Sequence, residues 1–207
     1  MPVVTGVKGR RGRARVFVDG VLWAELDSGV VAERGLREGT TISHEELAEA
    51  RVAGERPLAM NLALHSLGYR ARSAHELRER LSRAGYAGET VRGVLARLEE
   101  LGYLDDEEFA RNAARDKARK SYGPHRIYGE LRRAGIDKEI AQGIVEKEFA
   151  GRSELEEARA AVQRRYNTGE RSDAQARRVH GFLMRRGYSA AVSAEIAHSY
   201  RWGTNEL

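Results

Sequence analysis

The sequence of 207 residues contains no cysteine, which excludes disulfides, thiolate nucleophiles and Cys-ligated metal centres. It also has no apolar run near the ~18 residues that a membrane-spanning helix needs. Residues 1–6 lack the apolar stretch of a secretory signal. We therefore expect a soluble protein of the cytoplasm that makes no contact with membranes.

The usual arrangements of catalytic and metal-binding residues are missing as well. The six histidines fall on different predicted elements, and no two of them have the His-x-x-x-His spacing. Gly6, Gly9 and Gly12 lack the flanking strand and helix of a phosphate-binding loop, so we interpret them as part of a flexible basic arm. Glu195 and His198 have a Glu-x-x-His spacing, but a di-iron bundle needs a second such motif. We expect no enzyme activity, no cofactor and no metal.

What the sequence does contain is a repeated helix-ending motif, an apolar residue followed by Gly-Tyr. Its glycines, Gly68, Gly85 and Gly102, lie 17 residues apart, which is room for one helix and a short connection. Glycine at a helix C-terminus adopts positive φ without a steric penalty, and an apolar residue after it packs on the last turn. We predict that a helix ends at each glycine. The tyrosines expected to pack in this way, rather than to stack on bases, are Tyr69, Tyr86, Tyr103 and Tyr188.

A longer repeat groups these helices into modules. The residues around Gly85 are echoed around Gly135 and Gly187, at successive distances of 50 and 52 residues. That period equals about three helix units, and self-similarity on this scale is typical of tandem arrays. The sequence therefore predicts a mainly α fold, an elongated array of three tandem three-helix modules preceded by a short β-hairpin and a helix.

The division predicted from these patterns has four segments. An N-terminal segment, residues 1–56, holds the basic arm, the hairpin and a helix, and the three modules follow at 57–104, 105–152 and 153–207. Polar turn-forming residues at 167–172 predict the longest loop of the array. We expect the final helix, which is rich in alanine and serine, to be the least stable, as terminal copies often are.

Two local patterns define the N-terminal segment. Asp19-Gly20 between two apolar-rich runs predicts a two-residue hairpin turn. Ser43 and Glu46 match a capping box, which predicts the start of a helix that runs to about Gly54. The first module then begins with a new helix after Pro57.

The net charge of +5 lies outside residues 1–56, where nine cations balance nine acids. Residues 109–133 carry eight cations against two acids, and they follow an acidic run at 105–108. Two interpretations stay open: a solvated helix whose charges match its dipole, or a basic flank that faces an acidic partner. For the second, the candidate partner-binding residues are Arg111, Arg115, Lys117, Arg119, Lys120, Arg126, Arg132 and Arg133.

Two stretches of this region resemble the central signature of the RecX family of bacterial regulators. They are residues 102–110, GYLDDEEFA, and residues 123–136, GPHRIYGELRRAGI. Residues 73–81 and 182–189 resemble the family's first and third modules, so the likeness covers about residues 58–200. The motifs are specific in combination, since each alone is little more than an amphipathic helix with a C-cap.

The resemblance implies a non-enzymatic modulator of the RecA recombinase. Such a protein binds the RecA filament on single-stranded DNA and restrains its ATP hydrolysis, strand exchange and growth. We expect a monomer, with single-stranded DNA as a further partner through the basic faces. Two other classes stay open: a general DNA-binding protein built of helical modules, and a hydrolase whose site the sequence does not display.

Overall fold

The structure, a computed structural model, describes residues 1–166 and 172–202. The chain divides into two compact units, Met1–Asp105 and Asp106–Leu207. The elements follow in the order β1 (Val4–Arg10), β2 (Arg13–Val18), β3 (Val21–Asp27), α1 (Ser28–Glu33), α2 (His44–Tyr69), α3 (Ala74–Arg83), α4 (Gly88–Glu100), α5 (Asp106–Arg119), α6 (Pro124–Arg133), α7 (Lys138–Phe149), α8 (Glu154–Gln163), α9 (Asp173–Arg186) and α10 (Ala190–Trp202). The predicted mainly α class, with three-helix modules after a small β element, is confirmed.

The three strands form an antiparallel sheet in the order β1-β2-β3. Two-residue turns join them at Arg11-Gly12 and Asp19-Gly20, and all four residues have the positive φ that a type I′ turn needs. The predicted hairpin is therefore confirmed as β2 and β3. The prediction of a flexible basic arm is wrong, because most of these residues form β1. Pairing with β2, and a hydrogen bond from the Gly20 amide to the Thr5 hydroxyl (2.9 Å), outweigh the conformational freedom of the glycines.

Helix α2 runs unbroken for 26 residues, so the predicted end near Gly54 and restart after Pro57 are wrong. An interior proline costs roughly 3 kcal/mol, which packing on both sides must outweigh. Before the proline, Gly54 lies so close to Leu26 of the sheet that an added Cβ would come within 2.8 Å of the leucine Cβ. After it, Ala59 is buried in the core of the first three-helix module.

Helix α2 contributes to both hydrophobic cores of the first unit. Its first half places Leu47 and Ala50 against the inner face of the sheet. Its second half packs with α3 and α4 around Leu77 and Leu81. The helix begins at the predicted capping box of Ser43, which is present with both of its hydrogen bonds. The predicted boundary at residues 56 and 57 falls inside this shared helix, and the division into four segments stays a prediction.

A buried carboxylate joins α2 to the start of α4. Glu55 is 2% exposed, and it accepts hydrogen bonds from the Ala87 amide (2.8 Å), the Thr90 hydroxyl (2.8 Å) and the Arg51 Nε (2.7 Å). Ala87 is the N-cap residue of α4 and has no side-chain cap of its own. Glu55 therefore caps this helix from another part of the chain.

The same contact recurs in the third module. Glu154 of α8 accepts a hydrogen bond from the Ser189 amide (2.6 Å), directly before α10. Ser189 and Ala87 occupy the same place in the repeat, since each follows a Gly-Tyr pair. In these two modules the internal repeat thus includes a tertiary hydrogen bond between the first and third helices.

Four of the predicted helix-ending glycines adopt the left-handed conformation, with φ between 72° and 89°: Gly85, Gly102, Gly135 and Gly187. The residue after each glycine donates its amide to the carbonyl five residues earlier, as Ile136 does to Leu131 (3.1 Å). This is the Schellman pattern, and the prediction is confirmed at these four positions.

Gly68 departs from the prediction. Helix α2 continues through it to Tyr69, and the chain then becomes extended at Arg70. The Arg72 guanidinium donates to the carbonyl of Ser66 (3.3 Å). An arginine side chain therefore satisfies the helix end that a glycine turn satisfies elsewhere.

The tyrosines after the glycines divide into two pairs. Tyr188 is buried, and Tyr86 packs against the core of the first module. Tyr69 is 86% exposed and Tyr103 is 59% exposed, so the predicted packing is wrong for these two. Beyond Tyr103 it is Leu104 that is buried on the helix end, which leaves the tyrosine in solvent.

The second unit contains the second and third modules. Helices α5 to α7 surround one core, which includes Ile127 and Leu131. Helices α8 to α10 surround another, which includes Phe182 and Ile196. The predicted loop lies outside the described residues except for Ser172, whose hydroxyl caps α9. The lower stability expected for the final helix stays a prediction.

Candidate partner-binding site

The eight predicted partner-binding residues lie on α5, on α6 and between them, but they do not form one free surface. Lys117 and Arg126 both bind Glu130, at 2.5 and 2.9 Å, and both lie over the ring of Tyr122. Partial burial raises the pKa of Glu130, but hydrogen bonds from the two cations outweigh burial and hold the pKa below its usual range. These two cations therefore stabilise the second module.

Three more of the predicted arginines make local contacts. Arg111 forms an ion pair with Glu107, one turn earlier on α5. Arg132 donates to the carbonyl of Ile136 (2.5 Å), and Arg133 donates to a carbonyl one turn earlier (3.1 Å). Positive charge at the C-terminus of a helix favours the helix dipole, so these contacts stabilise the end of α6.

The remaining three, Arg115, Arg119 and Lys120, are exposed and form no ion pair with any residue that the structure describes. Arg119 and Lys120 face a cleft of about 420 Å³ to which the third module also contributes. We call this cleft the seam pocket. Its lining residues are Arg119, Lys120, Ser121, Ala161, Arg164, Arg165, Phe182 and Arg186.

Aromatic rings and oxygen atoms position the arginines of the seam pocket. Arg186 lies over Tyr122 (4.5 Å to the ring centroid) and Phe182 (5.2 Å), and it donates to the carbonyl of Lys120. Arg165 also lies over Phe182, at 5.5 Å. Arg164 donates to the Ser121 hydroxyl (2.8 Å). The guanidinium groups are thus held in place without the help of a carboxylate.

The charge of the seam pocket is uncompensated in the part of the chain that the structure describes. Five of its eight lining residues are cations, and none is an acid. None of the five forms an ion pair with a described residue. Guanidinium groups bind carboxylates and phosphates through two parallel hydrogen bonds, so a cluster of this kind is suited to an anionic partner.

Two helix ends that meet head to tail hold the two sides of the pocket together. At the end of α9, the Arg186 carbonyl accepts from the Gly123 amide (2.8 Å) and the Gly187 carbonyl from the His125 amide (3.1 Å). These amides belong to the start of α6, where the hydrogen bonds within a helix provide no acceptor for them. The backbones are so close that a Cβ on Gly123 would lie 2.4 Å from the Gly187 oxygen.

A buried tyrosine completes this junction. The Tyr188 hydroxyl lies 3.3 Å from the Ser121 carbonyl and 3.4 Å from the Glu157 carbonyl. Burial, together with the negative charge of Glu157, raises the pKa of Tyr188 to about 12. The phenol therefore stays a neutral donor at ordinary pH.

The sequence prediction found one side of the pocket and missed the other. Arg164, Arg165 and Arg186 lie 45, 46 and 67 residues after Arg119 and reach it only through folding. The Arg-Arg pair that precedes Gly187 in the third module could have indicated this side, because it repeats the pair before Gly135.

Over residues 1–166 and 172–202, no three metal-ligating side chains lie together. In the same part of the chain, no helix is long and apolar enough to cross a bilayer. The fold and the seam pocket define the class: a protein of tandem three-helix modules with a preformed basic cleft between two of them.

Comparison with known proteins gives the family. The model for "RecX, first three-helix domain" matches residues 59–98, and that for "RecX, second three-helix domain" matches residues 105–143. A regulatory protein RecX of Trichlorobacter lovleyi is 36% identical over 138 residues, which are 65% of this chain and 90% of that protein. The chain belongs to the RecX family of regulatory proteins.

Two further relatives extend the comparison. A regulatory protein RecX of Lactobacillus johnsonii is 31% identical over 145 residues, or 69% of this chain. The matched part spans 54% of that protein, so the chain corresponds to about half the length of this relative. A crystal structure of a regulatory protein RecX superposes with a TM-score of 0.58 at 21% identity, covering 96% of this chain and 100% of that one, which shows a shared fold.

Proposed function

We propose that this protein binds the RecA recombinase filament on single-stranded DNA and inhibits its ATPase, strand-exchange and filament-growth activities. Membership of a family of regulatory proteins supports a regulatory role. The observation that carries the proposal is the seam pocket, in which five cations from two modules are held ready for an acidic surface. The protein acts by binding, as a monomer, and catalyses no reaction of its own.

The physical basis of inhibition is binding to more than one protomer. Successive modules in one chain contact neighbouring RecA protomers, and each contact raises the effective concentration of the next. A ligand shifts a conformational equilibrium by its difference in affinity for the two states. A ligand that holds neighbouring protomers in one arrangement therefore opposes the changes that ATP turnover and strand exchange require.

The test is a titration of RecA ATPase activity on single-stranded DNA. We expect Arg119→Glu with Lys120→Glu to require roughly tenfold more protein for half-inhibition, which corresponds to about 1.4 kcal/mol. Arg177→Glu with Arg178→Glu is the matched control, because both side chains are exposed on α9 and the change in net charge is the same. Equal inhibition by the wild type and the pocket variant would show that the seam pocket is not part of the interface with RecA.

A general DNA-binding protein is the second candidate, because phosphates suit the same cations. Binding to bare single-stranded DNA and to RecA-coated DNA with ATP, at the same salt concentration, separates the two. The proposal requires tighter binding to coated DNA and a fall in ATP turnover, and it is wrong if coating produces neither. Substrate turnover by the protein alone, with RecA omitted, would instead indicate an enzyme.

A further inference from the structure

The N-terminal sheet has an outer face that carries a row of cations. Lys8 pairs with Arg15 and Arg10 pairs with Arg13 across β1 and β2. Val16, which follows Arg15 on β2, is fully buried in the core beneath the sheet. Since side chains alternate between the two faces of a sheet, the four cations extend from the opposite side, and all four are exposed.

The acids near this face leave a surplus of positive charge. Glu25 of β3 pairs with Arg13 (3.1 Å) and Arg15 (3.6 Å), whose side chains remain 57% and 64% exposed. Ion pairs in solvent contribute little, so another anion can replace Glu25. The carboxylate of Asp27 accepts hydrogen bonds from two amides at the start of α1. Arg11, in the turn after β1, adds a fifth exposed cation.

An aromatic ring lies in the same face. Phe17 is half-buried and pairs with Gly6 on β1 and with Leu22 on β3. Gly6 has no side chain to cover the ring, and an added Cβ would lie 3.8 Å from the ring's Cδ2. The Lys8 ammonium lies 5.3 Å from the ring centroid, and Leu22 is 51% exposed. The ring therefore lies between a cation and an exposed apolar side chain.

We infer that this sheet face binds single-stranded nucleic acid, with a base stacked on Phe17 and the phosphates along Lys8, Arg10, Arg11, Arg13 and Arg15. A positively charged groove beside an aromatic ring is the combination by which proteins hold single strands. These side chains line a cleft of about 520 Å³. A duplex keeps its bases stacked and unavailable to the ring, and an acidic peptide makes no base stacking. The site lies in the first unit, it does not include the seam pocket, and its binding does not require RecA.

The test is fluorescence anisotropy of a labelled oligothymidylate with the full chain and no RecA, over a series of salt concentrations. Each phosphate contact to a single strand contributes about 0.7 to the slope of log K against log salt. We expect Lys8→Glu with Arg10→Glu to reduce the slope by about 1.4. Phe17→Leu keeps apolar bulk but removes the stacking surface, so it should weaken binding about fivefold or more and leave the slope unchanged.

Controls separate this site from a general effect of charge. Arg177→Glu with Arg178→Glu, on the other unit, should leave oligothymidylate binding within about twofold of wild type, a difference of roughly 0.4 kcal/mol. Arg11→Gln changes only the turn, so it reduces the slope by about 0.7 even if the double variant of β1 does not fold. Circular dichroism and thermal unfolding check the fold of each variant.

Four results would overturn the inference. They are an equal loss of affinity in the α9 control, no effect of Phe17→Leu, equal affinity for a duplex of the same length, and equal competition by polyglutamate. The RecA titration uses variants of Arg119 and Lys120, which lie outside the sheet. A negative result for the sheet site therefore does not affect the test of the seam pocket, and a negative result for the seam pocket does not affect the test of the sheet site.

Discussion

Replacing Glu55 with alanine removes the buried carboxylate that joins α2 to α4. The side chain is 3% exposed and accepts three hydrogen bonds, at 2.7, 2.8 and 2.8 Å. Hydrogen bonds to a charged group contribute about 1.5–3 kcal/mol each, and removing one member of a buried pair costs about 3–5 kcal/mol. The Arg51 side chain is 34% exposed and can regain water. We therefore expect the lower end of that range, a loss of about 3 kcal/mol from the first unit.

Urea unfolding followed by tryptophan fluorescence measures this loss. The chain has two tryptophans, Trp23 and Trp202. In a Trp202→Phe background, Trp23 reports on the first unit alone, because it packs against the core beneath the sheet. With a urea dependence of about 1–3 kcal/mol per molar, the midpoint should fall by roughly 1–3 M.

Glu49→Ala is the matched control. Glu49 lies on the same helix, its side chain is 63% exposed, and its contact with Arg34 is 3.5 Å long. We expect this change to cost less than about 0.5 kcal/mol. If Glu55→Ala shifts the midpoint no further than Glu49→Ala does, the carboxylate does not hold the two helices together and the reasoning is refuted.

Three more predictions concern helix ends and the seam. Gly135→Ala should destabilise the protein by about 1 kcal/mol or more because φ is 83°, whereas Gly68→Ala, inside α2 with open space around it, should stabilise it by up to about 1 kcal/mol; thermal unfolding of both variants checks the difference in sign. Gly123→Ala places a Cβ 2.4 Å from a backbone oxygen and should cost about 1–3 kcal/mol, seen as a lower melting temperature and faster amide exchange in α9. Because the pKa of Tyr188 is raised to about 12, its contribution to stability is complete below the unfolded value of about 10 and is lost as pH rises toward 12, roughly 3 kcal/mol in all. Tyr188→Phe should abolish that part of the alkaline instability in urea titrations between pH 9 and 12, and an unchanged pH profile would contradict the assignment.

The helix ends could be predicted because the interactions that define them are local. The Ser43 capping box and the glycine turns at Gly85 and Gly135 each depend on a few consecutive residues. The predicted helix ends were wrong where contacts with distant residues determine whether the helix continues. Helix α2 passes Pro57 because two cores pack on either side of it, and α2 passes Gly68 because Arg72 satisfies its last turn. Neither contact can be predicted from the identity of the residues at the helix end alone.

The candidate site was predicted in location but not in composition. Charge density indicated residues 109–133, yet Lys117 and Arg126 turned out to be bound to Glu130. Formal charge does not show which cations are already neutralised by a neighbour. Arg186 entered the site through the docking of α9 on α6, and Arg164 through its hydrogen bond to Ser121, which are contacts between residues far apart in sequence.

The sharing of α2 between two cores has a thermodynamic consequence for the first unit. Neither the sheet nor the three-helix module can open fully without loosening the helix that the other also needs. A ligand that binds the sheet, at a free concentration about 100 times its dissociation constant, would add about 2.7 kcal/mol to the stability of the folded state. That protection would extend to amide protons of α3 and α4, which the ligand does not touch.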